Sequence, residues 1–201
     1  MKKWFVLILL SLSVSVVAGD NMTGALAPEF NRLDQKGVER NLTEFKGQWL
    51  TIYFYPKDDT PGCTVEANEF KDKYQQLVDM KAVVLGVSMD DAASHQEFID
   101  KYNLPFDLLV DEDKVMSKAY GVAGGIGLMS YAKRQTFIVD PDGVIVKHFE
   151  EVTPKTHADD VIVALTAAQA LYKETQALSH KPKEVQKVTV TEMMGENSVY
   201  G

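Results

Sequence analysis

The apolar positions of this chain fall into two kinds of run. Trp49, Leu50, Ile52, Tyr53 and Phe54 crowd the stretch 48–55, and a second dense run covers Ala82 to Val87. Aromatic and β-branched residues packed this closely over so short a span predict strands buried on both faces. The first run ends at Pro56, which has no N–H to give a ladder. Elsewhere the apolar residues recur every three or four positions. Ala67, Phe70, Tyr74, Leu77 and Val78 do so after Pro61 and Gly62, and Val161, Leu165, Ala168 and Leu171 do so between Thr156 and Leu178. That spacing predicts one helix starting beside Cys63 and a long closing helix packed on a sheet.

Between these lie weaker signals. Ser94 with Glu97 three residues later is a capping-box signature for a short helix ending near Tyr102. Asp107–Val110 reads as a short strand and Lys114–Tyr120 as a short helix. Gln135–Val139 and Val144–Phe149 form a hairpin around Asp140, Pro141, Asp142 and Gly143. Gly121, Gly124, Gly125 and Gly127 predict a mobile loop before Tyr131. The alternation of strand and helix predicts an α/β domain with a central mixed sheet flanked by helices. No internal repeat or heptad pattern interrupts it. From Ser179 to Gly201 the character changes, and Val185, Val188 and Val190 show no clear period, so 179–201 is expected to be a peripheral tail.

Composition narrows the function. The 201 residues, 45% hydrophobic and 25% charged, suit one ordinary soluble domain, and the net charge of −8 would repel a phosphate backbone, which argues against nucleic acid as a partner. At the start, Lys2 and Lys3 precede an apolar run from Trp4 to Val17, with small residues at Val16 and Ala18. This is the pattern of an export signal over 1–18, cleaved after Ala18. The competing reading is an uncleaved anchor. Against it, the run falls short of the ~20 apolar residues that span a bilayer and is broken by Ser11, Ser13 and Ser15. No cysteine directly follows the cleavage point, so no lipid attachment residue is offered there. The expectation is a domain over 19–178, exported, periplasmic and without stable membrane insertion.

In an oxidising compartment cysteines are usually paired, yet Cys63 is the only one here. A buried lone cysteine often serves as a small hydrophobe. The order strand, polar loop, cysteine, helix start points elsewhere, because the first turn of a helix offers free N–H groups and a positive dipole end to a thiolate. Thr60, three residues earlier, is within reach of the sulfur or else caps the helix, and Pro56 and Pro61 stiffen the loop.

Pro56, Thr60 and Cys63 match the Pro-x-x-x-Thr-x-x-Cys motif of peroxiredoxins, and Thr64, Glu66 and Ala67 extend the match. The run Tyr55-Pro56-Lys57-Asp58-Asp59-Thr60-Pro61-Gly62-Cys63-Thr64 most resembles the peroxiredoxin Q, or bacterioferritin comigratory protein, branch. The resemblance runs from about Ala25 to Leu171 and includes the Asp-Gly hairpin and a His157-Ala158 match. It implies a thioredoxin-like fold and a thiol-dependent peroxidase that reduces hydrogen peroxide and organic hydroperoxides through a sulfenic acid at Cys63. Thr60 would then donate to the sulfur or accept from the peroxide. Arg134-Gln135-Thr136-Phe137 is similar to the family segment whose arginine completes the site, so Arg134 is expected there, with Lys133 the weaker candidate. A guanidinium beside sulfur favours the anion and offers donors to the peroxide oxygens. His157 is read as a capping or packing residue rather than a general base.

Neither cofactor nor metal is expected. The histidines and the single cysteine have no ligand spacing, and Asp111 to Asp113 lacks the loop of a calcium site. The chain departs from many members of the branch at Asn68, where they carry a resolving cysteine five residues after the peroxidatic one. A one-cysteine cycle follows, regenerated by an external thiol: a thioredoxin-like protein, a glutaredoxin-like protein or a low-molecular-weight thiol. Monomer and homodimer both stay open. The alternative reading keeps the fold but uses Cys63 for mixed disulfides, as an exported redox sensor or binding protein.

Overall fold

A computed structural model describes residues 21–126 and 129–179. The export segment over 1–18 and the tail from 180 onwards lie outside the described residues. The chain divides into two compact units, Met1–Leu165 and Thr166–Gly201. The first carries the sheet and every residue singled out for chemistry.

In that unit a short antiparallel pair, β1 (Asn31–Leu33) and β2 (Glu39–Asn41), leads through a single 3-10 turn at Leu42–Phe45 into β3 (Trp49–Phe54). Then follow α1 (Pro61–Asp72), α2 (Tyr74–Asp79), β4 (Ala82–Ser88), α3 (Ala92–Tyr102), β5 (Asp107–Val110) and α4 (Val115–Ala119). The chain continues as β6 (Ala123–Ile126), β7 (Met129–Ala132), β8 (Gln135–Val139), β9 (Ile145–Phe149) and α5 (His157–Ser179). Five strands make the main sheet in the order β5-β4-β3-β8-β9. β3, β4 and β5 run parallel, while β8 pairs antiparallel with both β3 and β9. This is the mixed, helix-covered sheet that the strand and helix signals predict.

β3 is buried along its whole length because it is central. Its alternate residues serve two different layers. Leu50, Ile52 and Phe54 join Leu85, Val87, Leu109, Met116, Tyr120, Phe137 and Val139 in an apolar core on one face. Tyr53 faces the other way and stacks on Phe70 of α1, ring centroids 4.8 Å apart, with Phe106 edge-on at 5.9 Å. That second face carries the buried polar groups: Thr51, Tyr53 and Thr136 all lie beneath it.

Several local expectations are corrected. The cap of α3 is Asp91, whose carboxylate accepts from the Ser94 N–H, so the helix begins at Ala92, ahead of the Ser94/Glu97 box. Ser94 instead sends its hydroxyl to Asp58. Of the glycines before Tyr131, Gly124 and Gly125 pair in the ribbon β6/β7, opposite Tyr131 and Ser130, while Gly127 lies outside the described residues. A ladder needs only backbone groups, and at Gly125 an added Cβ would sit 2.8 Å from the Met129 carbonyl oxygen, so glycine is what lets the strands close there. Val144 forms an isolated antiparallel bridge with Leu26 while its N–H donates to the Asp140 carboxylate, and β9 begins one residue later. Of the apolar period in α5, Val161 and Leu165 are buried and Leu171 is exposed. In the second unit the described part is the helical stretch Thr166–Ser179.

Gly86 of β4 stands opposite Tyr53 and beside Leu108, and a Cβ there would lie 2.5 Å from Leu108 Cδ2 and 2.8 Å from the Tyr53 hydroxyl oxygen. Gly86→Ala is therefore expected to destabilise the fold by about 1–3 kcal/mol, the usual cost of overpacking, read as a fall in the urea midpoint at unchanged slope.

Candidate active site

Where β3 ends, the loop to α1 is held by a buried polar network. The Asp58 carboxylate accepts from the Tyr55 hydroxyl at 2.7 Å and the Ser94 hydroxyl at 2.8 Å, and His95 Nδ1 lies 2.8 Å from it. Nε2 of the same ring meets the Leu109 carbonyl at 3.1 Å, and the Asp58 N–H donates to Asp90 at 2.9 Å. The loop is thus tied to α3, to the end of β4 and to β5. Asp59 adopts a left-handed conformation, φ 53°, and its carboxylate accepts from Lys101 and Tyr102, both at 2.6 Å. Those two hydrogen bonds hold the Asp59 carboxyl below the usual carboxylate range.

Thr60 occupies the N-cap of α1 with Pro61 at the first helical position. Its carbonyl accepts from the Thr64 N–H at 2.8 Å, while its hydroxyl donates to the Lys57 carbonyl at 3.0 Å. The expected donation from Thr60 to sulfur is therefore not made, because the hydroxyl hydrogen is engaged in closing the loop. The oxygen remains free to accept. Pro56 is half-buried and ends the strand, as its missing N–H dictates.

Cys63 sits in the first turn of α1 with only 1% of its surface exposed. Arg134, immediately before β8, reaches it across the β3/β8 pairing: Nη2 is 3.1 Å from Sγ. The other guanidinium nitrogen, Nη1, donates to Glu66 Oε2. Glu66 lies three residues after Cys63, so both project from one face of α1 onto the same cation. Gly62 clears the approach, since a Cβ there would stand 3.2 Å from Nη2. Lys133, beside Arg134 in sequence, is exposed and its backbone N–H pairs with Val122.

Burial and charge compete in this cluster. Glu66 is fully buried, and desolvation pushes its carboxyl up to about 7 although Arg134 pulls the other way. Arg134 is half-buried; desolvation opposes its charge, but Glu66 and Cys63 outweigh that and leave it above its ordinary value. Tyr53, on the layer beneath, is held well above the usual phenol range, by burial first and then by the charge on Glu66. His157, the first residue of α5, is buried with Nε2 2.8 Å from Thr136 Oγ1, and burial lowers it to about 4, so the ring is neutral. The ring packs edge-on against Phe70 and Phe149.

Glu66 is the residue that sequence reasoning passed over. It was part of the matched motif, and its three-residue offset from Cys63 on a helix was the available signal. Asn68 donates to the Thr64 carbonyl at 2.8 Å on the same helix, an ordinary intrahelical bond. A cavity of about 410 Å³ opens at the other end of β3, between Leu26, Phe45, Leu50, Val139 and Pro141, and contains none of these groups. Among the described residues no cluster of histidine, cysteine or carboxylate side chains has the makings of a metal site.

Residues 23–148 match the model of the AhpC/TSA family. Peroxiredoxin Q of rice, a chloroplastic protein, is 40% identical over 151 residues, 75% of this chain and 69% of the rice protein. Peroxiredoxin Bcp of Bacillus subtilis is 36% identical over 147 residues, 71% of this chain and 93% of its own. The bacterioferritin comigratory protein of Xanthomonas campestris, solved in a study of its alkyl peroxide reduction, superposes with a TM-score of 0.66. It is 34% identical, covering 69% of this chain and 91% of that one.

The raised Glu66 carboxyl has a measurable consequence. Unfolded, it titrates near 4.5; folded, near 7, so between those values the folded chain holds a proton that the unfolded chain has released. The Glu66 contribution to stability is therefore full below pH 4.5 and lost as the pH rises through about 7. Glu66→Gln is expected to remove that decline, seen as a flatter urea midpoint against pH than in the wild type.

Proposed function

The chain belongs to the AhpC/TSA family, as a peroxiredoxin of the Q/Bcp branch, and from that premise we propose that Cys63 is its peroxidatic residue and Arg134 its electrostatic partner. The protein is a thiol-dependent peroxidase with a thioredoxin-like fold. What carries the residue assignment is one contact: a guanidinium that reaches Cys63 Sγ at 3.1 Å and is braced by Glu66 on its other side.

In this mechanism the Cys63 thiolate attacks one oxygen of the hydroperoxide. The S–O bond forms as the O–O bond breaks, and the departing oxygen takes a proton and leaves as water or alcohol. The sulfur is oxidised to a sulfenic acid. Arg134 favours the attacking anion and offers N–H groups to the oxygens as charge moves onto them. Thr60 contributes an acceptor oxygen at the mouth of the loop, and Pro56 ends the strand where that loop must turn. Enclosure of the sulfur suits a small reagent.

With Asn68 at the position of the resolving cysteine and one cysteine in the whole chain, the sulfenic acid has no internal thiol to condense with. An external thiol condenses with it, releasing water and forming a mixed disulfide, and a second thiol reduces that disulfide. The donor is a thioredoxin-like or glutaredoxin-like protein or a low-molecular-weight thiol. Lys2, Lys3 and the apolar run from Trp4 to Val17 support export, cleavage after Ala18 and a periplasmic setting for this cycle. No helix among the described residues is long and apolar enough to cross a membrane.

Stopped-flow measurement of hydrogen peroxide consumption tests the assignment. Cys63→Ser is expected to abolish the reaction, and Arg134→Ala to slow it roughly a hundredfold or more. An unmodified-cysteine rate in the wild type would favour the sensor reading instead. Mass spectrometry of Cys63 after one equivalent of peroxide, with candidate thiols added singly, is expected to show the sulfenic acid and then its return to thiol with the true donor. Export is checked by the mass of the protein recovered from secreting cells, expected to begin at Gly19.

A further inference from the structure

We propose that His157 is a positioning residue for the peroxide reaction, acting through Glu66 on the Arg134 guanidinium. This rests on the assignment of Arg134 made above.

A line of neighbouring groups runs from the sulfur to this ring, its last step the 4.0 Å from Glu66 Oε1 to His157 Nε2. Arg134 bridges Cys63 and Glu66 Oε2, and the second carboxylate oxygen, Oε1, is enclosed without a hydrogen-bond partner. An enclosed carboxylate oxygen with no donor is an expensive arrangement, because desolvation is uncompensated on that side. His157 Nε2 stands 4.0 Å from Oε1 and 2.8 Å from Thr136 Oγ1. Thr136 is two residues beyond Arg134, so β8 turns both side chains to the same face, where α5 lays its first residue.

The ring is held in place. Phe70 and Phe149 each meet it edge to face, at 5.4 and 5.2 Å, with interplanar angles of 88°. The groups that face Glu66 can be named element by element: Tyr53 from β3, Cys63 on its own helix, Arg134 at the head of β8, and His157 from α5. The Tyr53 hydroxyl is also enclosed without a partner. A neutral imidazole carrying its proton on Nε2 presents an N–H toward both Thr136 and Oε1, and a shift of about 1 Å would bring Oε1 to hydrogen-bond length. His157 thereby favours the ionised form of Glu66, and it is the carboxylate, rather than the neutral acid, that grips Arg134 and fixes it against the sulfur. Lacking that N–H, Glu66 would keep its proton to higher pH and the guanidinium would lose its brace.

The test is the second-order rate with hydrogen peroxide from about pH 6 to about pH 9, a window either side of the Glu66 titration. It is run on the full chain for wild type, His157→Phe, His157→Gln, Glu66→Gln and the double variant Glu66→Gln with His157→Phe. His157→Phe is expected to lose about tenfold near pH 7, the worth of one hydrogen bond to a charged group, and to recover at the alkaline end. His157→Gln, which keeps an N–H near the same place, is expected to restore most of the rate. In the Glu66→Gln background His157→Phe should cost nothing more. A loss of equal factor at every pH, or an undiminished loss in that background, would overturn the proposal and leave His157 as packing. Should His157→Phe fail to fold, a His157→Gln profile shifted no less than that of Glu66→Gln would also overturn it. Arg134→Ala is measured alongside: an unchanged rate there refutes the underlying assignment, whereas a large loss there with a flat His157→Phe profile refutes only the role of His157.

Discussion

A guanidinium placed between a carboxylate and a thiol, both almost closed off from water, is the interaction on which the site depends. Glu66 offsets the desolvation of the half-buried Arg134 guanidinium, and Arg134 in turn pulls the buried Glu66 carboxyl back towards ionisation. Removing Glu66 would leave the guanidinium unpaired on that side, and removing Arg134 would push the Glu66 carboxyl further towards its neutral form. Cys63 shares in this arrangement as the third member, at 3.1 Å from the cation. The same contact that balances the buried charges also holds one guanidinium nitrogen against the sulfur.

The surrounding fold can be understood as what keeps those three groups in register. β3 and β8 are antiparallel neighbours, so the end of one and the beginning of the other meet at the same edge of the sheet. Cys63 and Glu66 follow the first, and Arg134 precedes the second. The loop between β3 and α1 is anchored independently by Asp58, which gathers Tyr55, Ser94 and His95 around one buried carboxylate. A loop fixed by several hydrogen bonds to three different elements gives the helix start a defined position, and with it the sulfur. Beneath it, Tyr53 and Phe70 stack where Gly86 leaves room for the Tyr53 ring.

Having a single thiol in this setting divides the chemistry in two. In the proposed cycle, the attack on peroxide draws only on what the chain holds: the sulfur, the cation and the enclosure. Return to the thiol needs a second sulfur, and Asn68 supplies none. The departure at Asn68 concerns how the cycle closes.

Much of this was legible from the order of residues. The dense apolar runs marked β3 and β4, the helical period marked α1, and the spacing Pro56, Thr60, Cys63 identified the reactive turn, because each depends on interactions within a few residues along the chain. Local reading misjudged Thr60, whose hydroxyl turned back to Lys57, and the cap of α3, where Asp91 prevailed over Ser94. It also took Gly124 and Gly125 for part of a mobile loop, although backbone pairing alone makes them part of a ribbon. The clamp itself joins residues 68 and 71 positions apart, and the partnership of Glu66 with Arg134 and His157 exists only once β8 and α5 have been laid against α1. The sequence alone determined that Cys63 is the one thiol on offer. Only the tertiary structure decided how charge is balanced around it, because that balance depends on burial and on distances between distant segments.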